Sequence, residues 1–257
     1  MKKITVVIVG SVYHDLMKFS IESTVKSTPD VEEIITVSDK PVYDTAKFIE
    51  LRPGFNRNDY ADFVLKQLWP IIKTEFILLI QYDGMATNQQ YWTDDFYNYD
   101  YIGSPWPDHF SWLGQNELVG NGGFSLRSAR LLEALRDTAI QRGKSHRDDN
   151  EDAVICQQYR SYLETRHKIK YAPLDLANQF AHEWRNPSAQ TFGFHGHFNV
   201  PLYFDDTVTA EFVQTISMPW YNDQLQFFLD ICEKKNYLKS LNILNKKLDD
   251  FLNKNHT

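Results

Sequence analysis

The five residues Phe76–Ile80, FILLI, are the most apolar run of the sequence, and Gln81-Tyr82-Asp83-Gly84 follow them directly. A short, wholly apolar run of this kind is typical of a strand buried on both faces of a sheet. Parallel α/β sheets bind their ligands at the carboxyl ends of the strands, so Asp83 stands where a functional carboxylate is expected. The alternative is a plain turn, which an Asp-Gly pair favours.

The N-terminal part of the chain predicts the neighbours of this strand. Ile4–Val9 is continuous and β-branched, and a segment of helical spacing over 16–25 separates it from a second apolar strand over 33–37. A strand, a helix and a strand in this order predict a parallel sheet and an α/β fold.

Other segments predict the elements around the FILLI strand. Apolar residues recur at helical spacing over 60–72, where Asn58 is the expected N-cap and Pro70 is expected to kink or end the helix. Residues 99–103 predict a further strand, and residues 192–197 predict a short loop rich in glycine and histidine.

Beyond residue 204 the composition changes. Glycine is absent there, leucines recur at helical intervals from Leu238 to Leu248, and the segment from Glu233 onward has six lysines against three acidic residues. The sequence therefore predicts one domain over 1–204 and a C-terminal helical appendage over 205–257. A basic helical face fits peripheral contact with anionic lipid, and the alternative is a packing or dimer helix.

Charge and cysteine content restrict the class of protein. The chain has 257 residues and a formal net charge of −7, which argues against a broad nucleic-acid-binding surface. Cys156 and Cys232 lie far apart and fit neither a disulfide scaffold nor a zinc pattern, so a reducing cytoplasm is the expected compartment. No apolar run approaches the ~20 residues that a transmembrane helix needs.

Two acidic residues, Glu151 and Asp152, stand at the start of a predicted helix. A carboxylate in a cleft can take the proton of a substrate hydroxyl and so act as a general base. The alternative is structural, because acidic residues in a first helical turn are stabilised by the helix dipole.

Histidine, glycine and aromatic side chains mark three more candidate positions. His195 and His197 flank Gly196, and imidazole can complete a carboxylate-held metal site, whereas the alternative is a solvated loop histidine. Three glycines within 120–123 permit close approach of the backbone to a ligand. The segment 106–112 has four aromatic rings that could stack on sugars or pack onto the core, and it also contains Asp108; the rings are those of Trp106, His109, Phe110 and Trp112.

The motifs FILLIQYDG, YDYIGSPW, GNGGFSLRS, NEDAVIC, FAHEW and FGFHG occur in this order between about residues 55 and 197. The set resembles a widespread bacterial family of domains of unknown function, which is itself similar to the GT-A nucleotide-sugar-dependent glycosyltransferases. The resemblance implies a Rossmann-type, mixed and mostly parallel sheet flanked by helices. It also implies transfer of a hexosyl or pentosyl group from a nucleoside-diphosphate sugar to the hydroxyl of a glycan or another acceptor.

The resemblance assigns the donor side of the site. Gln81-Tyr82-Asp83 takes the place of the GT-A DxD motif, Asp83 matches its metal-binding carboxylate, and His195 matches a late histidine that completes the metal shell. The implied cofactor is Mn²⁺ or Mg²⁺. Gln81 replaces a carboxylate of that motif, which leaves open a metal-independent enzyme or a non-catalytic nucleotide- or carbohydrate-binding module.

The resemblance also assigns the acceptor side and the cleft between the two. Asp152 matches the catalytic base of inverting enzymes, and Glu151 beside it would bind an acceptor hydroxyl or orient the base. Asn121, Gly122 and Gly123 would line the donor or acceptor cleft.

The N-terminal strand-helix-strand unit fits a nucleotide-binding half. Gly10 and Ser11 follow the first predicted strand and Asp39 follows the second, so these residues are expected to contact the donor nucleotide. A further alternative is a metal-dependent phosphoester hydrolase that would use Asp83, His195 and His197.

Overall fold

The computed structural model describes residues 2–107, 118–143, 150–184 and 190–255. Strands in these ranges are β1 Ile4–Val9, β2 Val31–Ser38, β3 Lys47–Glu50, β4 Phe76–Ile80, β5 Gly84–Ala86, β6 Tyr101–Gly103, β7 Phe124–Ser128, β8 Ala181–His182 and β9 Gly193–His195. Helices are α1 His14–Ser27, α2 Arg57–Asp62, α3 Ala129–Ala134, α4 Glu151–Ala153, α5 Arg160–Arg166, α6 Leu174–Phe180, α7 Val200–Tyr203, α8 Asp206–Thr215, α9 Asn222–Lys235 and α10 Leu238–Asn255.

The main sheet has six strands in the order β3-β2-β1-β4-β7-β6. The first four are parallel to one another, and β7 is antiparallel to β4 and β6 on either side of it. Five of the six strands therefore point the same way, and the prediction of a mixed, mostly parallel α/β fold is confirmed.

Both faces of this sheet are covered, which explains the continuous apolar runs. Val7 and Leu79 belong to one buried cluster, and Val6 and Leu78 belong to a second cluster on the opposite face. Alternate residues of one strand point to opposite faces, so a strand covered on both sides needs an apolar residue at every position. The predicted strands at Ile4–Val9 and Phe76–Ile80 have these bounds in the structure.

Two local predictions were wrong. The N-cap of α2 is Asn56 and not Asn58, because Asn56 accepts from the N–H groups of Asn58 and Asp59, and Asp59 completes a capping box. Residues 193–195 form strand β9 rather than a loop, since β9 pairs with β5 and β8 in a second, three-stranded sheet. The helix over 60–72 continues from α2 as a π turn and ends in a 3₁₀ turn that contains Pro70, as the sequence predicts.

Contacts divide the chain into two compact units, Met1–His195 and Gly196–Thr257. The second unit is helical and contains α7 to α10. Within it, the ammonium of Lys247 donates to three carbonyl groups at the end of α8. The predicted division at residue 204 into two domains stays a prediction. No helix in the described ranges combines the length and the apolar composition that crossing a bilayer requires.

Candidate functional site

A cavity of about 380 Å³ lies in the first unit, at the edge of the main sheet where the parallel strands end. Nine residues line it, namely Arg57, Tyr60, Gln81, Asn121, Gly123, Asn150, Glu151, Asp152 and His195. The topology explains why distant segments meet here. Strand β7 runs against β4 with Phe124 opposite Ile80, so the glycine segment before β7 lies beside the residues that follow β4.

The second sheet brings His195 to the same place. In the pairing of β5 with β9, His195 stands opposite Gly84, the residue after Asp83. The Nε2 atom of His195 lies 3.6 Å from Oδ1 of Asp83, and Asp83 is buried. The structure thus brings together the two residues that the sequence predicts as metal ligands.

Gly122 and Gly123 run between the acidic pair and the histidine. A Cβ on Gly122 would lie 2.5 Å from Oε1 of Glu151, and a Cβ on Gly123 would clash with Nε2 of His195. Only glycine therefore lets the chain pass at this distance. Asp152 therefore lies against Gly122 and His195 against Gly123, and both side chains line the cavity.

His195 is held by oxygen atoms at both ring nitrogens. Its Nδ1 lies 3.0 Å from Oε1 of Glu183, and its Nε2 lies 3.2 Å from Oε1 of Gln81. Burial alone would lower the pKa of His195, but the negative charges of Asp83 and Glu183 outweigh burial and raise it to about 9. The imidazole therefore carries a positive charge at neutral pH unless another cation takes the place of its proton.

Gln81 is fixed from both ends of its amide. Its Nε2 donates to the hydroxyl of Tyr60 at 3.2 Å, while its Oε1 faces His195. Burial raises the pKa of Tyr60 well above its usual range, so that hydroxyl stays protonated. The amide oxygen of Gln81 is thereby presented on the same side as the carboxylate of Asp83.

Asp152 is half-buried and faces the cavity. Its Oδ2 accepts a hydrogen bond from the N–H of Gly122 at 3.0 Å, and its Oδ1 accepts one from the N–H of Ala153 at 2.8 Å. Burial, and then the charge of Glu151, raise the pKa of Asp152 to about 7 against the opposing effect of these two N–H groups. A carboxyl group with this pKa can accept and release a proton near neutral pH, as a general base must.

Glu151 has a different environment from its neighbour. It is buried, and its Oε1 accepts a hydrogen bond from NH2 of Arg127 at 2.9 Å. Arg127 is fully buried, so this ion pair lies in the interior beneath the cavity. The two adjacent acids therefore differ in their partners: Glu151 is ion-paired with Arg127, and Asp152 accepts hydrogen bonds from backbone N–H groups.

The donor set around Asp83 and His195 suits a divalent cation. An imidazole nitrogen, a carboxylate oxygen and the amide oxygen of Gln81 lie close together, and Glu183 holds the second nitrogen of the ring as outer carboxylates do at metal sites. Within the described ranges, however, no group of three or more His, Cys, Asp and Glu side chains is arranged to hold a metal ion. The set reaches three donors only through Gln81, which the sequence marks as a departure from DxD.

The N-terminal candidates lie at the same sheet edge but do not line this cavity. Gly10 and Ser11 follow β1, and Asp39 follows β2. The Oδ1 atom of Asp39 lies 2.7 Å from Nε2 of His14 and accepts from the hydroxyl of Ser38, and the contact with His14 lowers the pKa of Asp39. Their contact with a nucleotide stays a prediction.

The remaining candidates have other surroundings. Trp106 is buried in the core of the first unit, which is the structural alternative for this residue. Asp108, His109, Phe110 and Trp112 lie outside the described residues. The ring of His197 packs edge-on against Trp220 within the second unit, with centroids 4.5 Å apart.

Sequence reasoning assigned no role to several residues of the site. Glu183 joins His195 to Asn121, whose Nδ2 donates to Oε2 of Glu183 at 2.6 Å. Arg127 and Tyr60 hold Glu151 and Gln81. Glu183 lies in the motif FAHEW and Arg127 lies in the motif GNGGFSLRS. Their positions in these motifs are the sequence feature that could have identified them as site residues.

The sequence profile of DUF5672, described as a protein of unknown function, matches residues 46–195. This chain belongs to the DUF5672 family. The match covers β3 to β9 and includes the whole lining of the cavity. The prediction of a family of domains of unknown function is therefore confirmed. No curated protein matches this DUF5672 protein.

Among solved structures, the DUF5672 protein is similar to glucosyl-3-phosphoglycerate synthase from Mycobacterium tuberculosis. The complex of that enzyme with Mn²⁺, uridine diphosphate and phosphoglyceric acid has 13% identity and a TM-score of 0.34, over 50% of this chain and 56% of that chain. Its complex with Mn²⁺ and uridine-diphosphate-glucose has 12% identity and a TM-score of 0.34, with the same coverage. A structure described only as a mycobacterial protein has 13% identity and a TM-score of 0.35, over 50% and 53% of the two chains. The chain thus spans just over half the length of these proteins.

Proposed function

We propose that this DUF5672 protein is a nucleotide-sugar-dependent glycosyltransferase that inverts the anomeric centre and is assisted by a divalent cation. One observation carries the proposal. One cavity is lined by the half-buried carboxyl group of Asp152, by Gln81 and by His195, and the carboxylate of Asp83 lies 3.6 Å from the imidazole of His195.

Asp152 acts as the base. Its carboxylate takes the proton of the acceptor hydroxyl as that oxygen attacks the anomeric carbon of the donor sugar. The N–H of Gly122 fixes Oδ2, so the carboxylate keeps one orientation toward the cavity. With a pKa of about 7, a substantial fraction of Asp152 is ionised at neutral pH, and the carboxylate is still basic enough to accept a proton.

The leaving group is held beside Asp83, Gln81 and His195. As the new C–O bond forms, the bond from the anomeric carbon to the diphosphate oxygen breaks, and its electron pair stays on the nucleoside diphosphate. Asp83, His195 and the amide oxygen of Gln81 would hold Mn²⁺ or Mg²⁺ there, and Glu183 would orient the imidazole. A bound cation of this kind would neutralise the developing phosphate charge as a Lewis acid.

A displacement with base and leaving group on opposite sides of the sugar inverts the anomeric configuration. This follows from attack of the acceptor opposite the departing diphosphate. The oxocarbenium-like character of the centre is the same as in glycoside hydrolysis. The acceptor is a hydroxyl compound, such as a glycan, that reaches the cavity on the side of Asp152.

The decisive experiment is an assay of donor hydrolysis and transfer with a panel of uridine-, guanosine- and other nucleoside-diphosphate sugars, with and without Mn²⁺. We expect release of nucleoside diphosphate for at least one donor, and its loss in Asp152→Asn with donor binding retained. The matched control is Asp175→Asn, which removes a carboxylate from the first turn of α6 and not from the cavity. No turnover and no nucleotide binding across the panel would contradict the proposal.

A non-catalytic nucleotide- or carbohydrate-binding module is the second candidate. The observation in its favour is Gln81, whose amide is already engaged with Tyr60 and His195 and supplies no charge to a cation. In that case donor binding would be measurable, no donor would turn over, and Asp152→Asn would change neither.

We place the activity in the cytoplasm, with peripheral membrane contact of the second unit as a further proposal. Cys156 and Cys232 are both free and buried, as suits a reducing compartment. From Glu233 onward the chain has six lysines against three acidic residues, which is the basic character that contact with anionic lipid needs.

A further inference from the structure

Arg127 is a fully buried cation directly beneath the candidate base. Its Nε donates to the hydroxyl of Ser125 at 2.9 Å, and its NH2 donates to Oε1 of Glu151 at 2.9 Å. The same NH2 lies 3.4 Å from the carbonyl oxygen of Gly122. Burying a guanidinium costs several kcal/mol unless such partners compensate it, so its presence here needs a reason beyond packing.

Two of the partners of Arg127, Glu151 and Gly122, adjoin Asp152. Glu151 precedes Asp152 in the chain, and Gly122 donates its N–H to Oδ2 of Asp152. Arg127 therefore contacts Gly122 and Glu151, the two neighbours of Asp152. Arg127 itself does not line the cavity.

We propose that Arg127 is a positioning residue for the transfer reaction: it neutralises Glu151 and anchors Gly122, and through these two residues it keeps the Asp152 carboxylate available and correctly oriented as the base. This inference rests on the proposed function for its catalytic meaning. The effect of Arg127 on the ionisation and orientation of Asp152 does not depend on which substrate the protein takes.

Several ionisable groups face Asp152 from the elements packed around it. They are Glu151 on the same helix, Arg127 on β7, Tyr60 on α2, Tyr101 on β6, Cys156 on the turn that follows α4, and His195 on β9. Burial raises the pKa of the two tyrosines and of the cysteine, so these groups are neutral near pH 7. Glu151 is thus the negative charge that opposes ionisation of Asp152, and Arg127 is the charge paired with it.

The consequence is a defined response to each charge. Loss of the Glu151 charge leaves Arg127 to favour the ionised form of Asp152, so the pKa of Asp152 falls. Loss of Arg127 leaves Glu151 unopposed, so that pKa rises. Loss of both removes the raising and the lowering effect together, so the pKa lies between those of the two single variants.

The test is a pH titration of the Asp152 carboxyl carbon by NMR on the full chain, with the resonance assigned by its absence in Asp152→Asn. We compare wild type, E151Q, R127M and the double variant R127M/E151Q, each checked for folding by its amide spectrum. We expect the pKa of Asp152 to fall by about one unit or more in E151Q, to rise by about one unit or more in R127M, and to lie between these two values in the double variant.

Anchoring of Gly122 has its own readout. In wild type and in E151Q the amide signal of Gly122 is expected to follow the titration of Asp152, since the two are hydrogen-bonded. It is expected to stop following the titration in variants that lack Arg127. A merely structural arginine would lower stability without producing either of these changes.

R127M leaves Glu151 buried without its cation and is the variant at risk of unfolding. In that event the effect of Arg127 is read by comparing R127M/E151Q with E151Q, and a rise in the pKa of Asp152 is expected. Equal values, within about 0.3 unit, with and without Arg127 would overturn the proposal. Because the titration needs no substrate, this failure is distinguishable from absence of transferase activity.

Discussion

The carboxylate of Glu183 lies 3.0 Å from Nδ1 of His195, on the side of the ring opposite Asp83 and Gln81. Its other oxygen accepts from Asn121 at 2.6 Å, so the carboxylate is itself held in place. An outer carboxylate of this kind fixes the ring and makes the far nitrogen a better ligand. Glu183 therefore links the glycine-rich segment to the proposed cation site.

Replacement of Glu183 by Gln should weaken Mn²⁺ binding by about 10- to 100-fold, because the amide keeps the shape but removes the charge that supports His195. Isothermal titration of MnCl₂ into the protein measures this without any substrate. Glu133→Gln is the matched control, since Glu133 is exposed on α3 outside the cavity lining. Equal Mn²⁺ affinity in the two variants, or no binding to the wild-type protein, would contradict the proposed role of this group.

Gly123→Ala should destabilise the first unit by about 1–3 kcal/mol and abolish the site, because the added methyl group clashes with the imidazole of His195. Urea denaturation gives the free energy of unfolding. Gly10→Ala is the control for stability, since its Cβ would meet nothing closer than the sulfur of Met17 at 3.6 Å. A Gly123→Ala protein as stable as Gly10→Ala would show that His195 can move aside.

The buried strands and the main residues of the site could be predicted from the sequence. FILLI and Ile4–Val9 predict buried strands because a sheet covered on both faces demands apolar residues at every position. The order of motifs predicts that Asp83, Asp152 and His195 serve one site. The structure places Asp152 against Gly122 and His195 against Gly123, although more than forty positions separate Asp152 from His195 in the chain.

What could not be predicted depends on contacts between distant segments. Strand β9 has three residues, too few for a periodic pattern, and it exists because Gly84 and His195 pair across the second sheet. The role of Glu183 likewise depends on Asn121 and His195 lying on either side of it. The choice of Asn58 in place of Asn56 as the N-cap is an error of a different kind, because the capping box that decides it is local and joins Asn56 to Asp59.

The raised pKa of Asp152 predicts how stability changes with pH. Its value of about 7 in the folded protein exceeds the ordinary value of an aspartate. From about pH 4 to pH 7 the folded state therefore binds a proton that the unfolded state has lost, so this group lowers the free energy of unfolding as pH rises through that window. Asp152→Asn lacks this titration.

We accordingly expect the free energy of unfolding of wild type to fall, relative to Asp152→Asn, by on the order of 2 kcal/mol between pH 5 and pH 8. Urea denaturation of both proteins at several pH values measures the difference. The hydrogen bond that asparagine cannot accept from Gly122 or Ala153 shifts the two curves by a constant and does not change their divergence. Parallel curves would mean that Asp152 titrates as an exposed aspartate does.

Lys247 predicts a local stability effect in the second unit. Its ammonium donates to the carbonyl oxygens of Val213, Gln214 and Ile216 at 2.7, 2.9 and 2.7 Å, and so satisfies groups that the end of α8 leaves without helical partners. Hydrogen bonds from a charged donor contribute about 1.5–3 kcal/mol when well formed. Lys247→Met removes them while it keeps most of the length and apolar character of the side chain.

Lys247→Met should therefore lower the free energy of unfolding of the second unit by about 1–2 kcal/mol and speed hydrogen exchange of the amides at the end of α8. The neighbouring Lys246 is exposed on the same helix, so Lys246→Met makes the same change of charge and should shift stability by less than about 0.5 kcal/mol. Exchange measured by mass spectrometry on the full chain locates the effect. Equal exchange of the two variants at residues 213–216 would contradict the role of Lys247 in capping the end of α8. Lys247 would then count with the basic surface residues that can contact anionic lipid.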